Sequence, residues 1–382
     1  MCVKINKHFL MYTLMTIPFL PIGGFLEAMH IKGLVSLMKF FAAVFILYQY
    51  LFSHKHKFNM LDTVFFAYEA FLMLNTFMHG ISLFETLKSG YIFSNMIIFM
   101  LYEIGFDNSK QFIRSQFTVF LLIILMNLAT ELAFPGGLYA SSSPKVWLLG
   151  YYNTHSTLYV MAILMACLYA EMYRKQAGAV LTIAAIYAAA LLVKSGGTLA
   201  FLSVTAVLLV FYRRTRLAVN YYMWWIVLIV FFMGIIVLHS SEIGRRVYAV
   251  SEYAFSKGGS LLGRMQAWVY SFAAFLRNPV FGYGFVHTEQ YGWAMHAHNL
   301  VLEILHQGGL VQLMLFALMI FTAGHRLRRI KNVRLYCAIS TAFAGWIIIS
   351  LVEPFMTPFL MALFVVAFRA GAIEKVMQNN TQ

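Results

Sequence analysis

Long apolar runs with few charges constrain the fold of this chain more than any other feature. A helix needs roughly 20 mostly apolar residues to cross a bilayer. About twelve runs approach that length, at 9–29, 34–52, 61–82, 91–106, 112–134, 147–170, 177–193, 197–212, 220–238, 298–323, 335–352 and 355–373. The sequence therefore predicts an all-α, polytopic transmembrane helical bundle of about 12 spans.

The composition indicates that lipid is the solvent for most of this surface. Apolar residues make up 61% of the 382 residues and charged residues 11%, whereas soluble domains carry about 25% charged residues. The first run is too long, and its flank too poor in small residues, to be read as a cleaved signal peptide, so we expect a permanent anchor. The three cysteines have no metal-ligand spacing and no obvious disulfide partner.

The distribution of basic residues predicts the orientation. With the N-terminus inside, 17 cations fall at cytoplasmic ends and four in short outside loops, so the positive-inside rule places both termini in the cytoplasm. The net charge of +14 is thereby assigned to membrane topology and not to nucleic acid. The 17 are Lys4, Lys7, Lys55, Lys57, Lys110, Arg114, Arg174, Lys175, Arg213, Arg214, Arg216, Arg326, Arg328, Arg329, Lys331, Arg334 and Lys375, and the four are Lys32, Lys88, Lys145 and Lys194.

One long extracytoplasmic loop, residues 239–297, divides the chain into three parts. Residues 1–238 form spans one to nine, and residues 298–382 form the last three spans and a cytoplasmic tail. Within the loop, Leu261–Leu276 is predicted as an embedded helix that presents Arg264, Trp268 and Phe272 on one face. The loop is also rich in basic residues, which are Arg245, Arg246, Lys257, Arg264 and Arg277.

An ordered set of short motifs covers about 50 residues from this loop into the tenth run. It consists of Arg264 four residues before Trp268, the turn Asn278-Pro-Val-Phe-Gly282-Tyr-Gly284, His296-Ala-His298-Asn299, Glu303 and Gly308-Gly309. In order and spacing, the set resembles the O-antigen polymerase and ligase superfamily. The rest of the chain agrees in its number of spans and in the position of the long loop.

The resemblance implies a fold and a reaction. Its members are metal-independent, lipid-linked glycosyltransferases of GT-C-type architecture. They move a glycan from undecaprenyl diphosphate to a sugar hydroxyl on the non-cytoplasmic face of the membrane. The acceptor is another lipid-linked repeat unit in polymerases and the lipid A core in ligases.

The resemblance also implies roles for individual residues. Arg264 would hold the diphosphate, and His298 would be the general base. His296 and Asn299 would position the site, and Glu303 would lie behind it. The chemistry is suitable, because an arginine fork can pair two phosphate oxygens and an unperturbed imidazole titrates near neutral pH. The other loop arginines, Arg245, Arg246 and Arg277, are further candidates for substrate binding.

Each of these residues also has a plain structural interpretation. Arg264 could extend toward lipid headgroups, the histidines could be ordinary loop residues, and Trp268 could be a packing anchor. Glu303 lies inside a predicted span, where an ionisable group is costly. His306 lies three residues on, close enough to be its partner.

The sequence departs from the family near the seventh and eighth spans. Members commonly carry an arginine there as a second diphosphate contact, but residues 193–198 contain none. Lys194 could replace it as a point charge, with Gly196 and Gly197 allowing backbone amides to approach a phosphate. The alternative is a tight turn between helices.

Other polar residues carry weaker signals. The stretch 150–155 is a candidate for substrate contact, although helix packing is the favoured interpretation. Several polar residues inside predicted spans could line a groove or could bond to one another between helices. They are Asp62, Glu69, Asn75, His79, Asn127 and Glu131.

We therefore predict a repeat-unit polymerase for O-antigen, capsule or exopolysaccharide in the cytoplasmic membrane of a bacterium. An O-antigen ligase that transfers to lipid A core is the close alternative. A lipid-linked oligosaccharide flippase is a distant one, because it leaves the long loop unexplained. The expected partners are the undecaprenyl-diphosphate-linked donor and acceptor, the bilayer and a chain-length regulator. No metal or other cofactor is expected, since the histidines lack a third ligand at a plausible sequence spacing.

Overall fold

The computed structural model describes residues 6–22, 25, 29–30, 32–52, 58–82, 91–138, 145–211, 220–240, 258–285, 296–351 and 353–379. A two-stranded antiparallel hairpin, β1 (Val146–Trp147) and β2 (Gly150–Tyr151), precedes the sixth helix. The helices of these residues are α1 (Lys7–Thr16), α2 (Lys32–Phe52), α3 (Met60–Met78), α4 (Tyr91–Gly105), α5 (Ser109–Ala133), α6 (Tyr152–Tyr173), α7 (Gln176–Val193), α8 (Gly196–Phe211), α9 (Tyr221–Ser240), α10 (Gly258–Arg277), α11 (Leu300–Leu327), α12 (Val333–Ser350), α13 (Pro358–Phe368) and α14 (Ala370–Asn379).

The structure confirms a helical membrane protein. Six segments in its described part are long and apolar enough to cross a bilayer. They are Lys32–Phe52, Tyr91–Ala133, Asn153–Tyr173, Gln176–Val193, Leu300–Leu327 and Val333–Ser350. The count of about 12 spans and the GT-C-type architecture remain predictions.

The first apolar run is not one continuous helix. α1 ends at Thr16, and a 3-10 turn over Ile17–Phe19 follows it. Pro18 explains the ending, because a proline has no N–H to donate within a helix and its ring clashes with the preceding turn. The expectation of a single anchor helix over 9–29 is therefore wrong at its C-terminal part.

Tyr91–Ala133 contains two helices, and the chain changes direction between them. A 3-10 turn over Phe106–Asn108 separates α4 from α5. The hydroxyl of Tyr102 donates to Gln116 Oε1 at 3.3 Å, so residues 14 positions apart are neighbours. The rings of Tyr102 and Phe112 meet edge to face, with centroids 5.0 Å apart. This corner lies at the same end of the bundle as Arg369, which pairs with Glu103.

α11 is broken inside the bundle, and the Asn278–Gly284 turn fills the break. Gly309 has φ 59° and ψ −155°, a conformation that is essentially restricted to glycine. Beside it, Leu310 N donates to Pro279 O at 2.9 Å and Val311 N to Val280 O at 3.2 Å. The turn thus supplies the hydrogen bonds that the broken helix has lost.

Both sides of this junction are tightly packed. Tyr283 N donates to His306 O at 2.9 Å, and Gly284 N donates to Gln307 O at 2.7 Å. Asn75 of α3 donates to the carbonyls of both Phe281 and Gln307, at 2.6 and 2.8 Å. The Asn278–Gly284 turn is therefore packed tightly between α3 and α11.

Three of the polar residues inside the helices, Glu69, Asn127 and Glu131, bond to other polar side chains, which is the second of the two alternatives left open by the sequence. Asn95 of α4 donates to Glu69 of α3 at 3.0 Å. Asn127 donates to Glu131 at 2.6 Å. These buried pairs connect helices or turns of one helix and do not line a groove.

Candidate functional site

The carboxylate of Glu353 contacts both candidate catalytic residues, Arg264 and His298. It lies between α12 and α13, with 9% of its side chain exposed. Its Oε1 accepts hydrogen bonds from Arg264 Nη2 at 2.8 Å and from Asn153 Nδ2 at 3.2 Å. Its Oε2 lies 3.2 Å from His298 Nδ1 and 3.9 Å from His296 Nε2. Residues from α6, α10, the start of α11 and the loop after α12 therefore meet at one point.

Glu353 is ionised in this setting. Burial acts to raise its pKa, but the hydrogen bond from His298 and the positive charge of Arg264 outweigh burial and lower the pKa below its usual value. An ionised carboxylate can only accept hydrogen bonds. The hydrogen between Glu353 and His298 therefore belongs to Nδ1 of the imidazole.

This assignment determines which nitrogen of His298 can act as a base. With the proton on Nδ1, Nε2 keeps its lone pair and is the nitrogen able to accept a proton. A carboxylate that fixes the tautomer and orients the ring in this way is a common support for a catalytic histidine. The His298 side chain is 27% exposed, so it is not sealed inside the bundle.

The backbone of His298 is unusual as well. Its φ is +49°, in the left-handed region that non-glycine residues adopt infrequently. The indole N–H of Trp268 donates to the His298 carbonyl at 3.1 Å. Trp268 itself packs against Ala297 and Leu302. The embedded helix α10 therefore holds the histidine's backbone from one side while Glu353 holds its ring from the other.

The surroundings of His296 favour its neutral form. Burial is the largest cause that lowers the pKa of His296 to about 4, and the nearby His298 and Arg264 lower it as well. Glu353 acts to raise this pKa but does not outweigh them. A neutral imidazole with so low a pKa is a weak base at neutral pH. Its ring lies 4.0 Å from that of His298, centroid to centroid. The geometry thus fits His296 as a support and His298 as the base.

Asn299 and Glu303 build the turn that carries both histidines. The Asn299 side chain caps α11 by accepting from Val301 N and Leu302 N, and it donates to Leu351 O at 3.2 Å. Glu303 accepts from Ala297 N at 2.7 Å and from Gln307 Nε2 at 2.6 Å. Gln307, and not His306 as the spacing suggested, is therefore the side-chain partner of Glu303.

The remaining predicted residues lie away from the cluster or outside the described residues. Arg277 is exposed at the C-terminal end of α10, 13 residues and about 20 Å along the helix from Arg264. Arg277 therefore does not belong to the Glu353 cluster, and its role in substrate binding stays a prediction. Arg245 and Arg246 fall outside the described residues. Lys194 is exposed at the C-cap of α7 with φ +53°, and Gly196 and Gly197 begin α8 facing open space.

Two residues of the cluster were missed by the sequence analysis. Glu353 was passed over because it separates two apolar runs. The charge count, however, assigns that short loop to the same face as His298, and this was a usable signal. Asn153 belongs to the stretch 150–155, for which helix packing was favoured. His155 follows that interpretation, with Nδ1 3.4 Å from the buried Glu131, but Asn153 contacts Glu353.

Glu353 also changes the expectation about metals. One ligand atom each from His296, His298 and Glu353 lie within 4.8 Å of one another, so a third ligand does exist. The sequence spacing of the histidines did not reveal this third candidate ligand. The Arg264 guanidinium pairs with the same carboxylate, however, and its charge disfavours a divalent cation there. Metal independence stays a prediction.

Fold and cluster together define a helical membrane protein in which an arginine and two histidines surround one carboxylate at one end of the bundle. Residues 177–317 match the family model described as O-antigen ligase. This match confirms the resemblance to the O-antigen polymerase and ligase superfamily and supports glycosyl transfer of that general type. Comparison with curated proteins finds no match.

Proposed function

We propose that the protein is a polysaccharide repeat-unit polymerase. It would transfer a glycan from undecaprenyl diphosphate to the sugar hydroxyl of another lipid-linked unit, extending an O-antigen, capsule or exopolysaccharide. The observation that carries the proposal is the position of Glu353 between Arg264 and His298. One carboxylate there brings a diphosphate-binding group and a general base to the same place.

The reaction assigns each group a task. The acceptor hydroxyl gives its proton to His298 Nε2 as its oxygen bonds to the anomeric carbon. The bond from that carbon to the diphosphate oxygen breaks, and undecaprenyl diphosphate leaves with the electron pair. Attack from the face opposite the leaving group inverts the anomeric centre. No covalent nucleophile is required.

Arg264 would stabilise the leaving group. Negative charge on the diphosphate grows in the transition state, and a positioned cation there lowers the barrier. A guanidinium carries five N–H donors, so the bond from Nη2 to Glu353 does not exhaust them. Lys194, with the amides of Gly196 and Gly197, is proposed as the second contact in place of the family's arginine.

The close alternative is an O-antigen ligase, and the match to the family model does not distinguish the two. Both enzymes would use the same donor chemistry. They differ in whether the acceptor is another lipid-linked unit or the lipid A core. We prefer the polymerase because such sequences are numerous and diverse.

The test is a reaction of the purified protein in liposomes with a lipid-linked repeat unit as donor. A ladder of lengthening products without lipid A core identifies a polymerase. Product that forms only when lipid A core is added identifies a ligase, and absence of product under both conditions contradicts glycosyl transfer. Excess EDTA should leave the rate unchanged, and a loss restored by one added metal would contradict metal independence.

The proposed location is the cytoplasmic membrane of a bacterium, with the Glu353 cluster facing away from the cytoplasm. The distribution of 17 and four cations supports that orientation. The proposed partners are the lipid-linked donor and acceptor and a chain-length regulator.

A further inference from the structure

A basic cavity lies at the end of the bundle opposite the Glu353 cluster. α11 starts beside His298 and ends at Leu327, so its 28 residues separate the two ends by about 40 Å. The cavity has a volume of ≈ 660 Å³. It is formed by the end of α11, the turn that follows, the end of α13 and the helix α14. We call it the basic cavity.

Its walls carry a strong excess of positive charge. Five cations line it, namely Arg326, Arg329, Lys331, Arg369 and Lys375, against the one carboxylate of Glu374. That carboxylate already accepts the Asn332 backbone N–H at 2.5 Å. Arg369 is paired with Glu103, and the Arg326 guanidinium lies 5.0 Å from the centre of the Phe368 ring. An anion would relieve the repulsion among the remaining cations.

A second cavity of ≈ 490 Å³ adjoins the first and shares Arg326, Arg329 and Phe368 with it. Its other walls include Met60 and Phe321, whose side chains are 58% and 60% exposed. Phe321 lies on the candidate membrane span Leu300–Leu327. The cationic surface therefore continues directly into an apolar, lipid-facing one, and this is the shape of a site for an amphipathic anion.

The positive-inside rule explains why cations collect at this end, but it requires neither a cavity nor an apolar wall. Lys110 and Arg114 show the difference. Both are exposed in the first two turns of α5, which begins at this end of the bundle, and neither lines the basic cavity or the second cavity. They satisfy the rule without lining the proposed site, and they provide a matched control.

We propose that the basic cavity binds the phosphate headgroup of an anionic phospholipid. Lys331, Lys375, Arg326 at the end of α11 and Arg329 in the turn after it surround the phosphate. An acyl chain lies along Phe321 and Met60. Basic pockets between transmembrane helices are a recognised mode of anionic lipid binding. The site is independent of the proposed glycosyl transfer, because it shares no residue with the Glu353 cluster.

The test uses native mass spectrometry of the full-length, delipidated protein with added phosphatidylglycerol or phosphatidylcholine. The double variant Lys331→Gln/Lys375→Gln removes two exposed cations of the cavity. The control variant Lys110→Gln/Arg114→Gln removes two exposed cations elsewhere at this end. At roughly 5-fold per basic residue, the cavity variant should bind phosphatidylglycerol about 30-fold more weakly, while the control binds as the wild type does.

Two further measurements make the result decisive. Glycerol phosphate should bind far more weakly than phosphatidylglycerol. Phe321→Ser should weaken the binding of phosphatidylglycerol and leave the binding of glycerol phosphate unchanged. Equal losses in the two double variants would overturn the site in favour of diffuse surface attraction. Glycerol phosphate that binds as tightly as the lipid would show a soluble anion site and overturn the lipid assignment.

Discussion

The indole N–H of Trp268 donates to the carbonyl of His298 at 3.1 Å. This bond links the embedded helix α10 to the one residue of the His-x-His-Asn motif whose backbone is left-handed. Strain of this kind persists only where the surroundings hold it in place. Trp268 is therefore a positioning residue for His298, in addition to its packing role.

Trp268→Phe should lower turnover roughly 5- to 10-fold, since it keeps most of the packing but loses one hydrogen bond. Trp147→Phe is the matched control, because Trp147 Nε1 donates to the Phe134 carbonyl at 2.9 Å outside the cluster. Both variants should lose a little thermal stability. An equal loss of turnover in the two would show that Trp268 acts through stability alone.

Glu353→Gln should reduce turnover about 100-fold, while His298→Ala should reduce it at least as much. Glutamine can still accept from Arg264, but it no longer carries the charge that orients and stabilises a protonated His298. Donor binding should be measured together with the rate, because a variant that no longer binds the lipid-linked donor would also lose turnover. Glu131→Gln is the control, since Glu131 forms the other buried His–Glu pair. A Glu353→Gln enzyme with more than a tenth of the wild-type turnover would exclude this role.

Arg264→Ala should abolish turnover, and Arg264→Lys should recover little of it, because an ammonium cannot match the planar fork. The change should appear in turnover more than in donor affinity, since the leaving group gains charge in the transition state. Arg277→Lys, on the same helix but outside the cluster, should behave as the wild type does. If Arg264→Lys recovered most of the wild-type turnover, a point charge would be sufficient to stabilise the leaving diphosphate, and the planar fork would not be required.

Much of this site could be predicted from the sequence, because its motifs are local. The Arg264-Trp268 spacing, the histidine turn and the cap at Asn299 each depend on residues a few positions apart. Glu353 could not be predicted so readily, since it follows His298 by 55 residues and meets it only when α11 packs against α13. The sequence also did not show that Gln307 is the residue that bonds to Glu303, because Gln307 and His306 both lie within reach of Glu303 on one helix.

The fold, too, could be predicted only in part from the sequence. Apolar periodicity predicts where helices lie, but it does not reveal a break such as that at Gly309, whose hydrogen bonds are completed by a distant turn. Similarly, the run 9–29 has the composition of one span, and the position of Pro18 decides where its helix ends.

Gly309→Ala should destabilise the protein by at least about 3 kcal/mol, because it forces a side chain into a glycine-restricted conformation. Its Cβ would also press against the carbonyl of Val280. Thermal unfolding in detergent measures the loss. Gly136→Ala is the control, since a Cβ there meets no atom within 4 Å. Equal unfolding temperatures in the two variants would contradict the tight junction.

Stability should depend on pH through His296. Its pKa of about 4 in the folded protein lies below the usual 6.5, so the unfolded chain binds more protons between these values. Stability should therefore fall as the pH drops from 6.5 towards 4. The melting temperature of His296→Gln should fall less over this interval than that of the wild type. His325→Gln, exposed at the other end of the bundle, should follow the wild type. Parallel curves for all three would exclude the effect.

The break in α11 also bears on how the chain is inserted during synthesis. A membrane helix normally satisfies its own backbone, and each N–H or C=O left unpaired in lipid costs several kcal/mol. α11 is not self-sufficient at Gly309, so it is complete only when the segment 278–284 is already in place. That segment precedes α11 in the chain and leaves the ribosome first. The order of translation therefore delivers the missing partners before the helix that needs them.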